Sequence, residues 1–270
     1  MAIAALNSAA TGLRALSTRI DVISNTLANA ETNAFKASRV NFEDLMYMQL
    51  RQPGATNANG DVSPGGICVG LGTRVSNTQL DLSQGSMQTT NRELDVGIQG
   101  TGFFKIQIMP TINNGEGYTR NGNFVLNKNG QLVVNIGDGY RVMPPITLPS
   151  TATDISIAQD GSVYYTQGTG TTKTKAGQLQ LTNFANPQGL SLLGGSIYVQ
   201  TDSSGPPVTG NPGDNGTGNL LEGFLEGSNV DPVNELVTLI KTQRSFELNS
   251  QSIQTADQAL ETIGNLRRSS

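Results

Sequence analysis

The chain has no histidine, no tryptophan and a single cysteine, Cys68, among 270 residues. Without histidine, Ser-His-Asp and Cys-His catalytic arrangements lose their general base, and no His-containing zinc site can be built. One cysteine forbids an internal disulfide and any cysteine-cluster metal site. Aromatic residues are scarce at 5%, and charged residues reach only 14%. The net charge of −4 gives no basic face for nucleic acid and no polybasic patch for anionic lipid. Arg267-Arg268, the only basic doublet, is too small for either role. No apolar run approaches the roughly 20 residues that span a bilayer, so no direct membrane insertion is expected. Met1 to Ser8 carry neither a charged stretch nor a continuous apolar one, so no cleaved Sec-type signal peptide is expected and any export must use another route.

What is abundant is glycine, 32 residues, with 11 prolines and a large share of Ser, Thr, Asn and Gln. Apolar residues at 36% together with glycine fall in the ordinary globular range, which argues against general disorder. Glycine and proline are unevenly spread. Up to about residue 40 there is one glycine, Gly12, and no proline; from 228 onward there is one proline, Pro232, and one further glycine, Gly264. Nearly all the rest lies between.

Both ends carry heptad spacing. Leu6, Leu13, Ile20 and Leu27 recur every seven residues, with Ala9, Leu16, Ile23 and Ala30 in a row offset by three. Leu239, Phe246, Ile253 and Leu260 repeat the device near the C-terminus, flanked by Leu236. There the offset row holds Ala256 and Ile263 but is interrupted by Thr242 and Asn249. Such a/d rows mark helices that pack along other helices. Asp231-Pro232, with Glu235 after it, supplies a helix start.

The middle reads as short strands and turns. Leu94–Ile98 and Phe103–Ile108 flank the turn Gly100-Thr101-Gly102. Asn121-Gly122 and Asn129-Gly130 are hairpin signals, with Asn123–Leu126 and Gln131–Val134 as flanking strands. Asp138-Gly139 and Asp160-Gly161 add turns, while 166–177 and 201–219 read as exposed loops. The expected fold is therefore α+β: N- and C-terminal helices pairing as a coiled-coil-like core domain, with a central all-β domain inserted between them. Residues 1–40 with 229–270 form the helical assembly core, 41–80 a connecting extended segment, and 81–228 the β-rich outer domain. Leu6, Leu13, Leu16, Ile20, Ile23 and Leu27 are expected to face Leu236, Leu239, Phe246, Ile253 and Leu260, or the same positions in other subunits.

Chemistry is mostly missing. Gly70-Leu71-Gly72 and Gly100-Thr101-Gly102 lack the third glycine and the following helix of a dinucleotide site. Glu116, Asp138, Asp154 and Asp160 are scattered acids, two of them in turns before glycine, where aspartate is favoured for backbone reasons. Asn127–Gly130 lacks the downstream ligands of a calcium loop. Cys68, between Ile67 and Val69, reads as a small buried hydrophobe. Asn215-Gly216-Thr217 matches a glycosylation sequon of the kind that arises by chance in a polar loop. No catalytic, cofactor-binding or metal-ligating residues are expected, and no enzyme activity.

The run Asn25-Thr26-Leu27-Ala28-Asn29-Ala30-Glu31-Thr32-Asn33-Ala34-Phe35-Lys36 resembles the N-terminal signature of the axial rod and hook proteins of the bacterial flagellum, roughly N-x-L-A-N-x-x-T-x-G-F-K. It matches at Asn25, Leu27, Ala28, Asn29, Thr32, Phe35 and Lys36. Ala34 stands where the family usually has glycine; if that glycine serves a positive φ, Ala34 should be strained or the turn should differ. The stretch Gln243–Ser250 is similar to the family's QRAYE-x-N-S, matching at Gln243, Arg244, Glu247 and Asn249 and departing at Ser245 and Phe246. Glu226-Gly227-Ser228-Asn229-Val230 resembles E-x-SNV; Gly102-Phe103-Phe104 and Tyr118–Gly122 resemble GFF and YTR-x-G. Within the family, Arg51-Gln52-Pro53-Gly54-Ala55 and the glycine-rich stretch to Gly72 most resemble the distal-rod branch, and the length suits it better than the longer hook subunit.

The resemblance implies a structural subunit of a straight helical tube, assembled with itself and joined to proximal rod and hook subunits. It implies surrounding ring proteins acting as a bushing, passage through the flagellar type III export apparatus, and a place in the periplasm-spanning rod of the basal body. Asn25, Asn29 and Thr32 either cap the helix end or touch neighbouring subunits. The alternatives are another axial subunit of proximal rod or hook and, from a different class, a coiled-coil-oligomerised β-domain adhesin, which predicts a closed oligomer and an aromatic-lined groove.

Overall fold

The computed structural model describes residues 2–54, 64–137, 139–168, 172–214 and 216–268. Among them are two helices, Ala2–Ala28 (α1) and Pro232–Arg268 (α2), and twenty strands. The chain is thus mostly β, which corrects the expected α+β fold built on a coiled-coil-like helical core. It divides into two compact units, one of residues 1–28, 38–79 and 231–270, the other of 29–37 and 80–230.

In the first unit α2 begins as its sequence requires. Asp231 Oδ1 accepts from the backbone N–H groups of Val233 and Asn234 at 3.0 and 3.2 Å, satisfying donors that the first turn leaves open. The two helices touch, and small and polar residues are among those that face each other. Gly12 faces the Asn249 side chain, and Ala5, Ser8 and Ala9 face Asn249, Ser252, Thr255 and Ala256 across a gap. The buried side chains are Ala15, Ile23, Thr26 and Thr242. Leu239, Ile253 and Leu260 are only half-buried, while Leu236 (45%) and Phe246 (36%) are exposed. Knobs-into-holes packing needs large side chains in both rows of both helices. Thr242, Asn249 and Ala256 occupy one row of α2, and the Thr242 hydroxyl donates to its own helix at the Thr238 carbonyl, 2.7 Å.

Four strands share this unit: Ser38–Asp44 (β1), Tyr47–Arg51 (β2), Ile67–Gly70 (β3) and Thr73–Leu80 (β4), paired β1 with β4 and β2 with β3. The turn before β4 lies on α1. Ser8 Oγ donates to the Gly70 carbonyl at 3.2 Å, and the Thr73 N–H donates to Thr11 Oγ1 at 3.3 Å. Gly72 has φ +114°, and a Cβ there would overlap the Thr11 hydroxyl, so the position admits only glycine. Gly70-Leu71-Gly72 is a helix-docking turn.

In the second unit a nine-stranded sheet runs in the order Ser191–Gly194, Ile197–Val199, Glu116–Thr119, Phe103–Gln107, Tyr140–Met143, Leu132–Val134, Phe124–Leu126; Leu181–Asn183 branches from Phe103–Gln107 and carries Val208–Gly210. The hairpin at Asn129-Gly130 forms, pairing Leu126 with Leu132. Asp160-Gly161 likewise joins the paired strands Ala152–Ile157 and Ser162–Gln167. Of the turn Asp138-Gly139, Asp138 lies outside the described residues. The strands flanking the turn Gly100–Gly102, Val96–Gln99 and Phe103–Gln107, do not pair with each other; Val96–Gln99 pairs in a long-range ladder with Asn219–Glu222. Asn121-Gly122 makes a close approach, since a Cβ on Gly122 would overlap the Val96 carbonyl. The loop expected at 166–177 contains the end of strand Ser162–Gln167 and most of Thr174–Gln178, and the one expected at 201–219 contains the whole of Val208–Gly210.

The pleat of Phe103–Gln107 serves two cores. Phe104 and Ile106 join Phe124, Leu132, Val134, Val142 and Leu181 on one face. Phe103 joins Leu80, Tyr118, Phe184, Leu190 and Tyr198 on the other. There the rings meet edge to face, Phe103–Tyr198 at 5.5 Å and Tyr118–Phe184 at 4.8 Å between centroids. Burial raises the phenol pKa of both Tyr118 and Tyr198; for Tyr118 the Glu116 carboxylate adds to the rise, and for Tyr198 nearby Arg120 opposes it.

A folded-state pKa above the unfolded one means that the unfolded chain releases its phenolic protons first. The stability from these two residues is therefore complete below the ordinary phenol pKa of about 10 and is lost as pH rises above it. Denaturant titrations from pH 8 to 11.5 should show the second unit weakening above pH 10, and Tyr198→Phe should flatten that slope. An unchanged slope in Tyr198→Phe would contradict this.

Candidate functional site

Three stretches that resemble the axial family, far apart in sequence, meet inside the second unit. The carboxylate of Glu226 holds two cations at once. Lys36 Nζ donates to Glu226 Oε1 at 2.6 Å, and Arg120 Nε donates to Glu226 Oε2 at 2.7 Å; all three side chains are buried. Every group has further partners. Lys36 Nζ also donates to the Ser83 carbonyl at 2.6 Å. Arg120 donates to the carbonyls of Gly102 at 3.0 Å and Gly100 at 2.9 Å. The Gly85 N–H donates to Glu226 Oε1 at 3.0 Å. Burial holds the Lys36 ammonium below the ordinary lysine pKa against the pull of Glu226, and Arg120 adds to the lowering. A charged trio so fully bonded offers no free base or nucleophile. It is a structural tie.

Asn229 extends the tie. Its Oδ1 accepts from the Ala37 N–H at 2.8 Å, and its Nδ2 donates to the Asp81 carbonyl at 2.9 Å. Ala34 is buried with φ +58°, and its N–H donates to the Glu226 carbonyl at 2.8 Å. The glycine-like conformation is thus retained with alanine, and Ala34 is strained. Around it the motif folds on itself: Thr32 Oγ1 donates to Asn29 Oδ1 at 3.1 Å, and the Phe35 N–H donates to the Thr32 carbonyl at 3.2 Å. Phe35 and Leu27 are half-buried, whereas Asn25 and Ala28 are exposed.

The C-terminal motif residues do not join this cluster. Gln243, Arg244 and Glu247 lie exposed on α2, with Arg244 and Glu247 in a surface ion pair at 3.2 Å, and Asn249 is half-buried facing Gly12. Along α1, Leu6, Leu13, Leu16 and Ile20 are half-buried and Ile23 is buried. Arg51, Gln52, Pro53 and Gly54 are all exposed; Ala55 lies outside the described residues. Two apolar surfaces are open in the first unit. One runs along α2 through Val233, Leu236, Val237 and Ile240; the other is the β2–β3 ribbon, with Met46 (82%), Tyr47, Met48, Leu50 and Ile67. Cys68 lies on that ribbon and is exposed, which corrects its reading as a buried hydrophobe; a two-stranded ribbon has no second layer to cover it. Among the described residues no group of three His, Cys, Asp or Glu could hold a metal.

The strain at Ala34 sets two opposed outcomes. Ala34→Gly relieves a left-handed conformation costing about 1 kcal/mol but loses a buried methyl worth about 0.8 kcal/mol, so stability should move by less than about 1 kcal/mol. Ala34→Val, β-branched at positive φ in a filled site, should cost more than about 2 kcal/mol. Chemical denaturation measures both; a tolerated valine would contradict the geometry.

Residues 97–165 match the family model described as the flagellar hook protein FlgE/F/G D1 domain, and 221–266 match the flagellar basal body rod FlgEFG protein C-terminal. The chain is 43% identical over 256 residues to the flagellar basal-body rod protein FlgG of Buchnera aphidicola subsp. Acyrthosiphon pisum, covering 95% of this chain and 96% of that protein. In Bacillus subtilis it is 38% identical to FlgG, covering 97% and 98%, and 30% identical to the flagellar hook-basal body complex protein FlhP, covering 96% and 98%. End-to-end identity at this level, together with family motifs that converge on Glu226, makes the chain a member of the FlgG family of flagellar basal-body rod proteins.

Proposed function

We propose that this chain is a structural subunit of the flagellar distal rod, polymerising with copies of itself into a straight, stiff tube that transmits motor torque to the hook. In the periplasm-spanning rod it meets proximal rod subunits at one end and hook subunits at the other, with ring proteins around it as a bushing, and it reaches that place through the flagellar type III export apparatus. The reading draws on the relatives named FlgG. The observation that carries it is the apolar surface left open on the unit that contains both termini. Contiguous exposed apolar surface of this kind marks a surface for association. Copies of the chain cover the open side of α2 and the half-buried positions Leu6, Leu13, Leu16, Ile20, Leu27, Leu239, Ile253 and Leu260. Leu236 and Phe246 are the most exposed of the expected interface positions. The β2–β3 ribbon and Arg51–Gly54 add a second contact that stiffens the tube. The role is structural, with no catalytic step.

Electron imaging of cell envelopes lacking this gene tests the assignment. A rod that stops short, with neither hook nor filament, is the expected outcome; a complete rod without a hook would assign the chain to the hook, and intact flagella would refute an axial role. Ile20→Asp should abolish rod assembly and motility, because a charge in a covered apolar surface is left without a partner, while the second unit keeps its circular dichroism and melting transition. Normal motility from Ile20→Asp would remove Ile20 from the interface. Deleting 46–63 should yield curved assemblies; straight ones would sink the stiffening role.

A further inference from the structure

We propose that Glu226 is a latch that makes closure of the second unit wait for the C-terminal part of the chain. Lys36 and Arg120 are contributed early, and the one carboxylate that pairs with both lies 190 residues after the first and 106 after the second. A lysine and an arginine are not buried together without an anion between them. Until Glu226 is in place, the segment around Lys36 and the strap from Asp81 to Ser86 stay open. Its arrival closes several joints at once. The Phe224–Glu226 strand pairs with Met87–Thr89, Ala34 donates to the Glu226 carbonyl, Gly85 to its carboxylate, and Gly227 to the Ser86 carbonyl. Asn229, three residues on, then ties Ala37 and Asp81.

Much of the remaining β structure needs nothing from residue 226. Phe103–Gln107 pairs with Glu116–Thr119, Phe124–Leu126 with Leu132–Val134, and Ala152–Ile157 with Ser162–Gln167, each a ladder between near neighbours in sequence. Local pairings close with little loss of chain entropy, whereas a tie spanning 190 residues closes late. A chain synthesised from its N-terminus therefore stays open around Lys36 until it is nearly complete.

Pulse-labelled amide hydrogen exchange during refolding of the full-length chain tests the order. The amides of Ala34, Gly85 and Gly227 should gain protection in a phase after those of Phe103–Gln107 and Glu116–Thr119. In native exchange, Glu226→Gln should speed those three amides by about a hundredfold, the order expected when a buried ion pair loses one partner, while the sheet amides change less than about tenfold. Lys36→Met leaves Arg120 paired and should keep most of the protection. The latch is refuted if the three amides are protected with or before the sheet in the wild-type chain, if Glu226→Gln exchanges like wild type, or if it opens the sheet equally.

Discussion

Two cations, one carboxylate and a ring of backbone carbonyls form the contact on which the second unit depends. A buried guanidinium and a buried ammonium each exact a desolvation cost that only close, well-aimed oxygen atoms offset. Glu226, Ser83, Gly100 and Gly102 provide those oxygens, so the backbone at each of these places must hold its position. That requirement explains why the Ala34 conformation is retained in spite of its strain, and why Gly85 approaches Glu226 so closely. The edge-to-face rings of Phe103, Tyr118, Phe184 and Tyr198 pack near the same charges, with the Arg120 guanidinium 5.9 Å from the centre of the Phe103 ring.

The two units differ in how complete they are. The second buries most of its large apolar side chains in two clusters and pairs Lys36, Arg120 and Glu226, although Met109, Leu126, Leu192, Leu193 and Val208 stay exposed. The first leaves Val233, Leu236, Val237, Ile240, Met46 and Leu50 open. Alanine, serine, threonine and asparagine side chains face each other across a gap between its two helices, and they contribute little apolar burial. The second unit thus holds two buried apolar clusters, whereas the first buries few side chains of its own.

Local signals were the legible ones. Asp231-Pro232 marked the start of α2, and Asn129-Gly130 and Asp160-Gly161 marked true hairpins, because each is decided within a few residues. Heptad spacing located both helices but not how they pack: Thr242, read as an interruption, is buried, and Asn249, read as another, faces Gly12. Pairing of Val96–Gln99 with Asn219–Glu222 could not be read locally, since the partner lies more than a hundred residues away. The letters around Lys36, Arg120 and Glu226 were visible as separate motifs, yet nothing in the spacing joined them. Ser83 and Gly100 enter through backbone carbonyls, for which residue identity carries no signal.

The chain passes between its two units after residues 28, 37, 79 and 230. On the side of the second unit, the hydrogen bonds of Ala37, Asp81 and Asn229 gather three of those crossings into one knot around Glu226. A pull applied through any of the three strands is therefore borne by all of them in parallel, like a load on a splice and not on a single thread. Strain is shared among the three before any one ladder of the sheet bears it alone.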